Sequence, residues 1–259
     1  MKFYKYQGTG NDFVMIDNRL GEWDDLSNEQ IQKLCDRRFG IGADGLIKIN
    51  TAQGVDFEVD YYNSDGSKSF CGNGARCSVA FAHFLRIIED KTTFSAIDGL
   101  HEAEINNGIV KLKMGDVASI SKDGDSYVLN TGSPHFIQYV DDVSNYDVYR
   151  NGNKIRNSDT YRKEGINVNF VQVISEKELF VRTYERGVED ETYSCGTGVT
   201  AAALTFMQNN NQTSVGIKVK GGQLKVYAEK EGEGFRNIWL EGPANQVFEG
   251  EINIKSLTF

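Results

Sequence analysis

Apolar and polar positions alternate along much of the chain. The segments "FVMID", "LIKIN", "FEVDYY", "IVKLKM", "YVLN", "FIQYV", "NFVQVI", "LFVRTY", "GIKVK", "LKVYAE" and "NIWLE" either alternate or are rich in β-branched and aromatic residues. That pattern predicts strands with one face in a core. Gly221 and Gly222 in "KGGQ" predict a two-residue hairpin turn between two of them. Three stretches read as helices instead. The first spans 27–39, where Ser27 and Gln30 form a capping-box pattern, Ile31, Leu34 and Cys35 share a face, and Gly40 is placed to end the helix. The other two begin directly after Cys71, in "SFCGNGARCSVAFAHFLR", and after Cys195, in "YSCGTGVTAAALTFM".

The two halves of the chain repeat one order of elements. "GTGNDFVMID" matches "NTGSPHFIQYV", "GADGLIKIN" matches "GINVNFVQVI", and "FEVDYYNSDG" matches "LFVRTYERGV". "CGNG" with its helix then matches "CGTG" with its helix, and "TFSAIDGLHEAEINNGIVKLKM" matches "GIKVKGGQLKVYAEKEGEGFRNIWLEG". One such match is noise, but a run of them in the same order implies duplication. The helix at 27–39 finds no clear match in the second half. The expectation is an α+β fold of two similar halves about a pseudo-twofold axis, with a cleft between them and Cys71 and Cys195 at equivalent positions.

Composition narrows the function. The chain has 259 residues, ordinary hydrophobic and charged fractions, a formal net charge of −9 and no long basic run. These argue against nucleic acid or an anionic membrane as partner. The N-terminus lacks the regions of a signal peptide, and no apolar run approaches the roughly 18 residues of a membrane span, so a cytoplasmic protein is expected. The four cysteines, Cys35, Cys71, Cys77 and Cys195, include no C-x-x-C pair, and the three histidines are not spaced as zinc ligands beside them. In a reducing compartment each thiol then serves packing or chemistry.

Cys71 and Cys195 sit where chemistry is favoured. The first N–H groups of a helix lack internal partners and the helix dipole is positive there. Glycines let a ligand approach the backbone, so each motif reads as an anion cradle, and the same field favours a thiolate. Two such cradles on one small carboxylate would place a thiol on each side of its α-carbon. One thiolate removes the α-proton, the other thiol returns a proton to the opposite face, and the stereocentre inverts. The cradle N–H groups stabilise the charge that spreads into the carboxylate, so the scheme needs no cofactor. A single C-G-x-G is weak evidence, because free cysteine is commonly a small buried hydrophobe. Its duplication is what favours chemistry. Cys35, on its helix's apolar face, and Cys77, well round the helix from Cys71, read as packing residues.

"GIGADG" at 40–45 fits a dinucleotide glycine pattern but follows a helix and precedes a strand, the reverse of that fingerprint. His83 reads as a helix-packing residue and His101 as a solvent-facing one. His135 follows a glycine turn in "TGSPHF" and either tunes a thiol or is a structural turn residue. Asn11, Asn63, Asn167, Glu185 and Arg186 are the polar residues of the matched loops. Arg186 suits a second carboxylate, or is half of an exposed Glu-Arg pair.

With "GTGNDFV", "GIGADG", "NSDGS…CGNGARC", "GSPH", "NVNFV", "YERGV…ETYSCGTG" and "GPANQVFEGEI", the sequence resembles the diaminopimelate epimerases over essentially its whole length. That resemblance implies two pseudo-symmetric halves, each a mostly antiparallel barrel-like sheet around a central helix, with the active site in the cleft between them. It implies a homodimer that interconverts L,L- and meso-diaminopimelate without a cofactor, for lysine and peptidoglycan synthesis. Family precedent returns the last strand, "GEINIKSL", to the first half, giving halves of 1–115 plus 248–259 and 116–247. Carried over position by position, Cys71 and Cys195 are the acid/base thiols, with Cys71 taking the proton of the L,L substrate. Gly72, Asn73, Gly196 and Thr197 cradle the reacting carboxylate. Asn11, Asn63, Asn167 and Arg186 hold the substrate, including its distal end, while His135 and Glu185 tune the thiols and hold the reacting ammonium. The chain departs from the family in three places: Ser133 stands where many members have Asn, Gly45 where some have Gln, and the loop from Asn63 to Cys71 is one residue shorter.

Two rivals share the fold. Proline and hydroxyproline racemases resemble "CGHG" at the first motif, which Asn73 argues against. A further relative replaces thiols with a carboxylate, which the presence of both cysteines argues against. A rival of another class, a thiol redox or ligand-binding protein, predicts that the two cysteines need not flank a ligand.

Overall fold

The computed structural model describes residues 1–254. The chain forms two compact units, one of Met1–Leu112 with the segment from Pro243 onward, the other Lys113–Gly242. The limits read from the sequence, at 115/116 and 247/248, lie a few residues later.

In the first unit β1 (Lys2–Gly8) and β2 (Asn11–Asp17) form an antiparallel hairpin. Its turn residues Thr9 and Gly10 have φ of 51° and 88°, the primed turn that matches strand twist. α1 (Asn28–Cys35) carries the chain to β3 (Gly45–Asn50), parallel to β2, and β4 (Phe57–Asn63) returns antiparallel. α2 (Gly72–Phe84) crosses to β5 (Lys91–Ala96), parallel to β4, and β6 (Gly99–Asn106) and β7 (Ile109–Lys113) continue as an antiparallel meander. Parallel neighbours need such crossovers, because a tight turn only reverses the chain. α2 packs against β1, β2, β3, β4 and β6, and every residue from Gly72 to Ala82 is buried. A helix covered on all sides has no polar stripe, so its sheet must curl around it.

The second unit has the same order. After the short β8 (Ser121–Asp123), β9 (Ser126–Asn130) and β10 (Pro134–Tyr139) are antiparallel. α3 (Val148–Arg156) leads to β11 (Asn167–Ser175), parallel to β10, and β12 (Glu178–Glu185) returns antiparallel, flanked by β13 (Asp190–Thr192). α4 (Gly196–Asn210) crosses to β14 (Ser214–Val219), parallel to β12, and β15 (Gly222–Glu231) and β16 (Gly234–Pro243) continue antiparallel. α4 touches β9, β10, β11, β12, β14 and β15 and is buried nearly throughout. The chain then returns to the first unit as β17 (Asn245–Glu251), antiparallel to β1, where β8 is the neighbour of β9 in the second unit.

The structure corrects several expectations. α1 has its capping box at Ser27 but ends at Cys35, not near Gly40. There the Asp36 side chain accepts from the N–H groups of Arg38 and Phe39, both at 2.7 Å, and turns the chain out of the helix. Ile31, Leu34 and Cys35 join Phe3, Val14, Ile16 and Leu46 in one apolar cluster, where burying a leucine contributes roughly 1.5–3 kcal/mol. α1 also has a counterpart, α3. Its sequence "VYRNGNKIR" buries only Val148 and Gly152, and a β-carbon at Gly152 would strike Tyr184. A helix pressed that close to a strand needs little apolar sequence, which hides it from a periodicity search. In the β14–β15 hairpin the turn residues are Lys220 and Gly221, because Val219 pairs with Gly222 and the carbonyl of Tyr193 holds Gly221 N–H at 3.0 Å. Within "GEINIKSL" only Gly250 and Glu251 belong to a strand, and residues 255–257 lie outside the described residues. His83 is exposed where α2 leaves its sheet. His101 stacks on Phe70 at 4.4 Å and bonds Asp98 at 2.9 Å instead of facing solvent alone.

Candidate active site

Cys71 is the N-cap of α2, with extended φ −135° and ψ 117°. Gly74 N–H donates to its sulfur at 3.5 Å. The turn after β1 places Asn11 beside it, and Cys71 Sγ donates to Asn11 Oδ1 at 3.4 Å. Asn73 Nδ2 donates to the same oxygen at 3.3 Å. Asn11 is aimed by Asp44, whose Oδ2 accepts from Asn11 Nδ2 at 2.7 Å. Asp44 is in turn bonded by Arg37 at 2.7 Å, and Arg37 also grips Asp12 at 2.7 Å. Lys5, buried, completes this group with a 2.8 Å ion pair to Asp12 and a bond to the Gly42 carbonyl.

Asn63 ends β4 and orders the loop that leads to Cys71. Its Nδ2 donates to the Ser67 carbonyl, Ser67 Oγ and Ser69 Oγ at 3.2, 3.0 and 3.1 Å, and Tyr61 donates to its Oδ1 at 2.9 Å. Gly45 pairs with Asn63 across β3 and β4, and a β-carbon there would lie 2.5 Å from both the Tyr61 ring and the Tyr62 carbonyl. Close packing therefore dictates glycine at this departure from the family.

Cys195 caps α4 with φ −124° and ψ 110° and is 7% exposed. Its sulfur lies 3.5 Å from Thr197 Oγ1, which lies 2.8 Å from His135 Nε2. His135 is fully buried, and burial, helped by the charge of Arg186, pushes its pKa down to about 3. The ring is therefore neutral near pH 7. Asn169 Nδ2 donates to the Phe136 carbonyl at 3.2 Å and to His135 Nδ1 at 3.1 Å, while Thr183 donates to its Oδ1 at 2.8 Å. That fixes the tautomer: Nδ1 accepts, so Nε2–H donates to Thr197 Oγ1. Thr131 Oγ1 adds a bond to the Thr197 carbonyl at 2.8 Å.

A polar group surrounds Ser133. Asn167 Nδ2 donates to its hydroxyl at 3.0 Å and Arg186 Nη2 reaches it at 3.4 Å. Asn167 Oδ1 accepts from Arg186 N–H at 2.8 Å, and Arg186 Nη1 bonds the Glu164 carbonyl at 3.0 Å. Ser133 thus links two of the expected substrate residues directly. Glu185 is half-buried at the end of β12. Gly72 and Gly196 are the first residues of α2 and α4, and a β-carbon at Gly72 would meet nothing within 4 Å, so the space over that helix start is open.

Within the first unit, then, Cys71, Asn73 and Asn11 are drawn into one network, with Gly72 between Cys71 and Asn73 in the chain, while Asn63 orders the loop that leads to Cys71. Within the second, Cys195, Thr197 and His135 form another, with Gly196 between the first two in the chain, and Ser133, Asn167 and Arg186 lie beside each other. Sequence reasoning missed the supporting layer: Asp44, Arg37, Asn169, Thr131 and Arg76. Arg76 carried a readable signal, being the one charged residue in "GNGARCSVAFA", a run otherwise suited to complete burial. Among the described residues no cluster of three His, Cys, Asp or Glu side chains could hold a metal ion.

The sequence matches the family described as Diaminopimelate epimerase over residues 3–120 and 127–247. It is 55% identical over 256 residues to a diaminopimelate epimerase of Flavobacterium psychrophilum, covering 97% of this chain and 100% of that one. It is 41% identical over 259 residues to one of Chlorobaculum tepidum, covering 95% and 99%. A Bacillus anthracis phenazine biosynthesis protein of the PhzF family shares the fold with a TM-score of 0.73 at 15% identity, covering 98% of this chain and 99% of that one. Matches at such identity over nearly full length, on a duplicated fold with a cysteine at each helix start, lead to one conclusion: the chain belongs to the diaminopimelate epimerase family.

Proposed function

We propose that the protein interconverts L,L- and meso-2,6-diaminopimelate by a two-base mechanism in which Cys71 and Cys195 exchange the proton of one α-carbon. The observation that carries this reading is the repetition, on two topologically equal units of a chain of this family, of a thiol at the start of a buried helix. A thiolate there removes the α-proton, forming an S–H bond while the electron pair stays on the substrate. The other thiol then gives its proton to the opposite face. The helix-start N–H groups at Gly72, Asn73, Gly196 and Thr197 would hold the carboxylate into which the charge spreads. Asn11, Asn63, Asn167 and Arg186 would hold the rest of the substrate, with Glu185 at the reacting ammonium. Asn11 supports Cys71, and the His135–Thr197 pair supports Cys195. The reaction would serve lysine and peptidoglycan precursor synthesis. A homodimer in the cytoplasm fits this reading, since a reducing compartment keeps both thiols free. Asn73, in place of the histidine of "CGHG", disfavours proline as substrate.

Incubation with L,L-diaminopimelate in deuterated water under reducing conditions tests it. Meso product labelled at one α-carbon is expected. Absence of exchange, or exchange of proline instead, rejects it.

A further inference from the structure

Arg76 is the largest fully buried side chain of the described residues and lies in the first turns of α2. Its Nη2 donates to Asn73 Oδ1 at 3.0 Å and to Thr9 Oγ1 at 3.2 Å, while Nε and Nη1 have no partner. A buried guanidinium without a counter-ion is costly, and arginine does not shed its proton to escape that cost. Its surroundings supply little negative charge. The titratable groups it faces on α2 are Cys71 and Cys77. Burial pushes the Cys77 thiol up to about 12, so it stays neutral. From β2, Asp12 acts on Cys77 but is paired with Lys5 and Arg37. The one bonded route from this charge to the thiol is toward the helix start, through the Arg76–Asn73–Asn11–Cys71 chain of bonds. The matching position in α4 is Thr200, whose hydroxyl turns back to the Gly196 carbonyl at 2.9 Å.

We propose that Arg76 is a positioning residue that makes the start of α2 the charged member of the pair, holding the Asn73 amide and supplying the positive charge for a substrate carboxylate beside Cys71. This rests on the epimerase reading. When the Cα–H bond breaks and the proton passes to sulfur, the electron pair moves toward the carboxylate, and the fixed cation stabilises it more than it stabilises the ground state. No oxidant or reductant takes part.

The test needs no turnover. Alkylation of the substrate-free protein by anionic iodoacetate and by neutral iodoacetamide is followed at each cysteine by peptide mass spectrometry. The rate ratio of the two reagents cancels the thiolate fraction and largely cancels access, leaving local charge. The ratio is expected to be about 3- to 10-fold higher at Cys71 than at Cys195. In R76M it falls at Cys71 alone, and in R76K it stays raised. In the epimerase assay R76M loses about 10-fold or more in kcat, and R76K recovers part of it. Equal ratios at the two cysteines of the unmodified protein overturn the proposal whether or not R76M folds, as does a folded R76M with an unchanged ratio. Because this ratio is read without substrate, its failure beside intact deuterium exchange removes only the role of Arg76, while loss of exchange removes the epimerase reading.

Discussion

The start of α2 and the start of α4 have nearly the same backbone, with N-cap φ and ψ of −135° and 117° against −124° and 110°. Their side chains differ. Cys71 takes the Gly74 N–H on its sulfur and faces the amide oxygen of Asn11, which also accepts from Asn73, itself held by Arg76. Cys195 makes no cap bond and faces a hydroxyl backed by a neutral histidine. Duplication thus preserved the geometry that carries a thiol to a helix start, while the polar support was built separately in each unit. Under the proposed two-base scheme that inequality is useful, because at any moment one sulfur must hold a proton and the other must lack one.

The strongest way to break the comparison is to remove either sulfur. Cys71→Ala and Cys195→Ala should each lower epimerisation by at least roughly 10²–10⁴-fold, read as deuterium incorporation. A variant that keeps full activity shows that the two thiols are not partners. A smaller difference is expected in packing. A β-carbon at Gly198 would strike Asn169 Oδ1, whereas at Gly74 it meets the flexible end of Ile47 at 3.1 Å. G198A should cost roughly 1–3 kcal/mol in denaturant unfolding and disturb the Asn169–His135–Thr197 chain, and G74A should cost less. The reverse order would mean that α4 shifts more easily than α2.

Acid separates the units further. Unfolded His135 titrates near 6.5 and folded His135 at about 3. Between those values the unfolded chain binds the extra proton, so stability is full above pH 6.5 and declines as pH falls toward 3, by up to roughly 1.4 kcal/mol per pH unit. Asp12 behaves differently. Burial opposes its ionisation, yet bonds from Arg37 and Lys5 hold its carboxyl below the ordinary 3.8. Its contribution is present above pH 3.8 and is lost below it. Hydrogen exchange at about pH 5 should therefore show α4 losing protection before α2, and His135→Gln, if folded, should remove the difference. The smallest effect belongs to Cys35→Ala: about 1 kcal/mol or less of stability and an unchanged kcat, since that thiol lies in the α1 cluster. A fall in kcat would tie that cluster to the reaction.

Strands, the two central helices and the duplication were legible because each depends on local pattern. Alternation marks β2, β4 and β12, and unbroken apolar runs mark α2 and α4. α3 was not legible, since it packs through Gly152 against Tyr184 and has almost no apolar stripe. The end of α1 was misplaced because Asp36 turns the chain four residues before Gly40. At the site, the cysteines and the Asn, Ser and Arg residues of the matched loops could be read off their motifs. Asp44, Asn169 and Arg76 could not be given partners, because those partners lie on other strands or turns.

The sequence by itself determined the two thiols, the glycines after them and the repeat that makes them equivalent. These are properties of short segments, where a helix start and an adjacent thiol follow from neighbouring residues. Tertiary structure decided what each sulfur meets: for Cys71 the amide oxygen of Asn11, which also accepts from Asn73, the residue held by buried Arg76; for Cys195 the hydroxyl of Thr197, which is held by a neutral histidine. Protonation depends on burial and on groups brought from distant strands, and no local pattern encodes either.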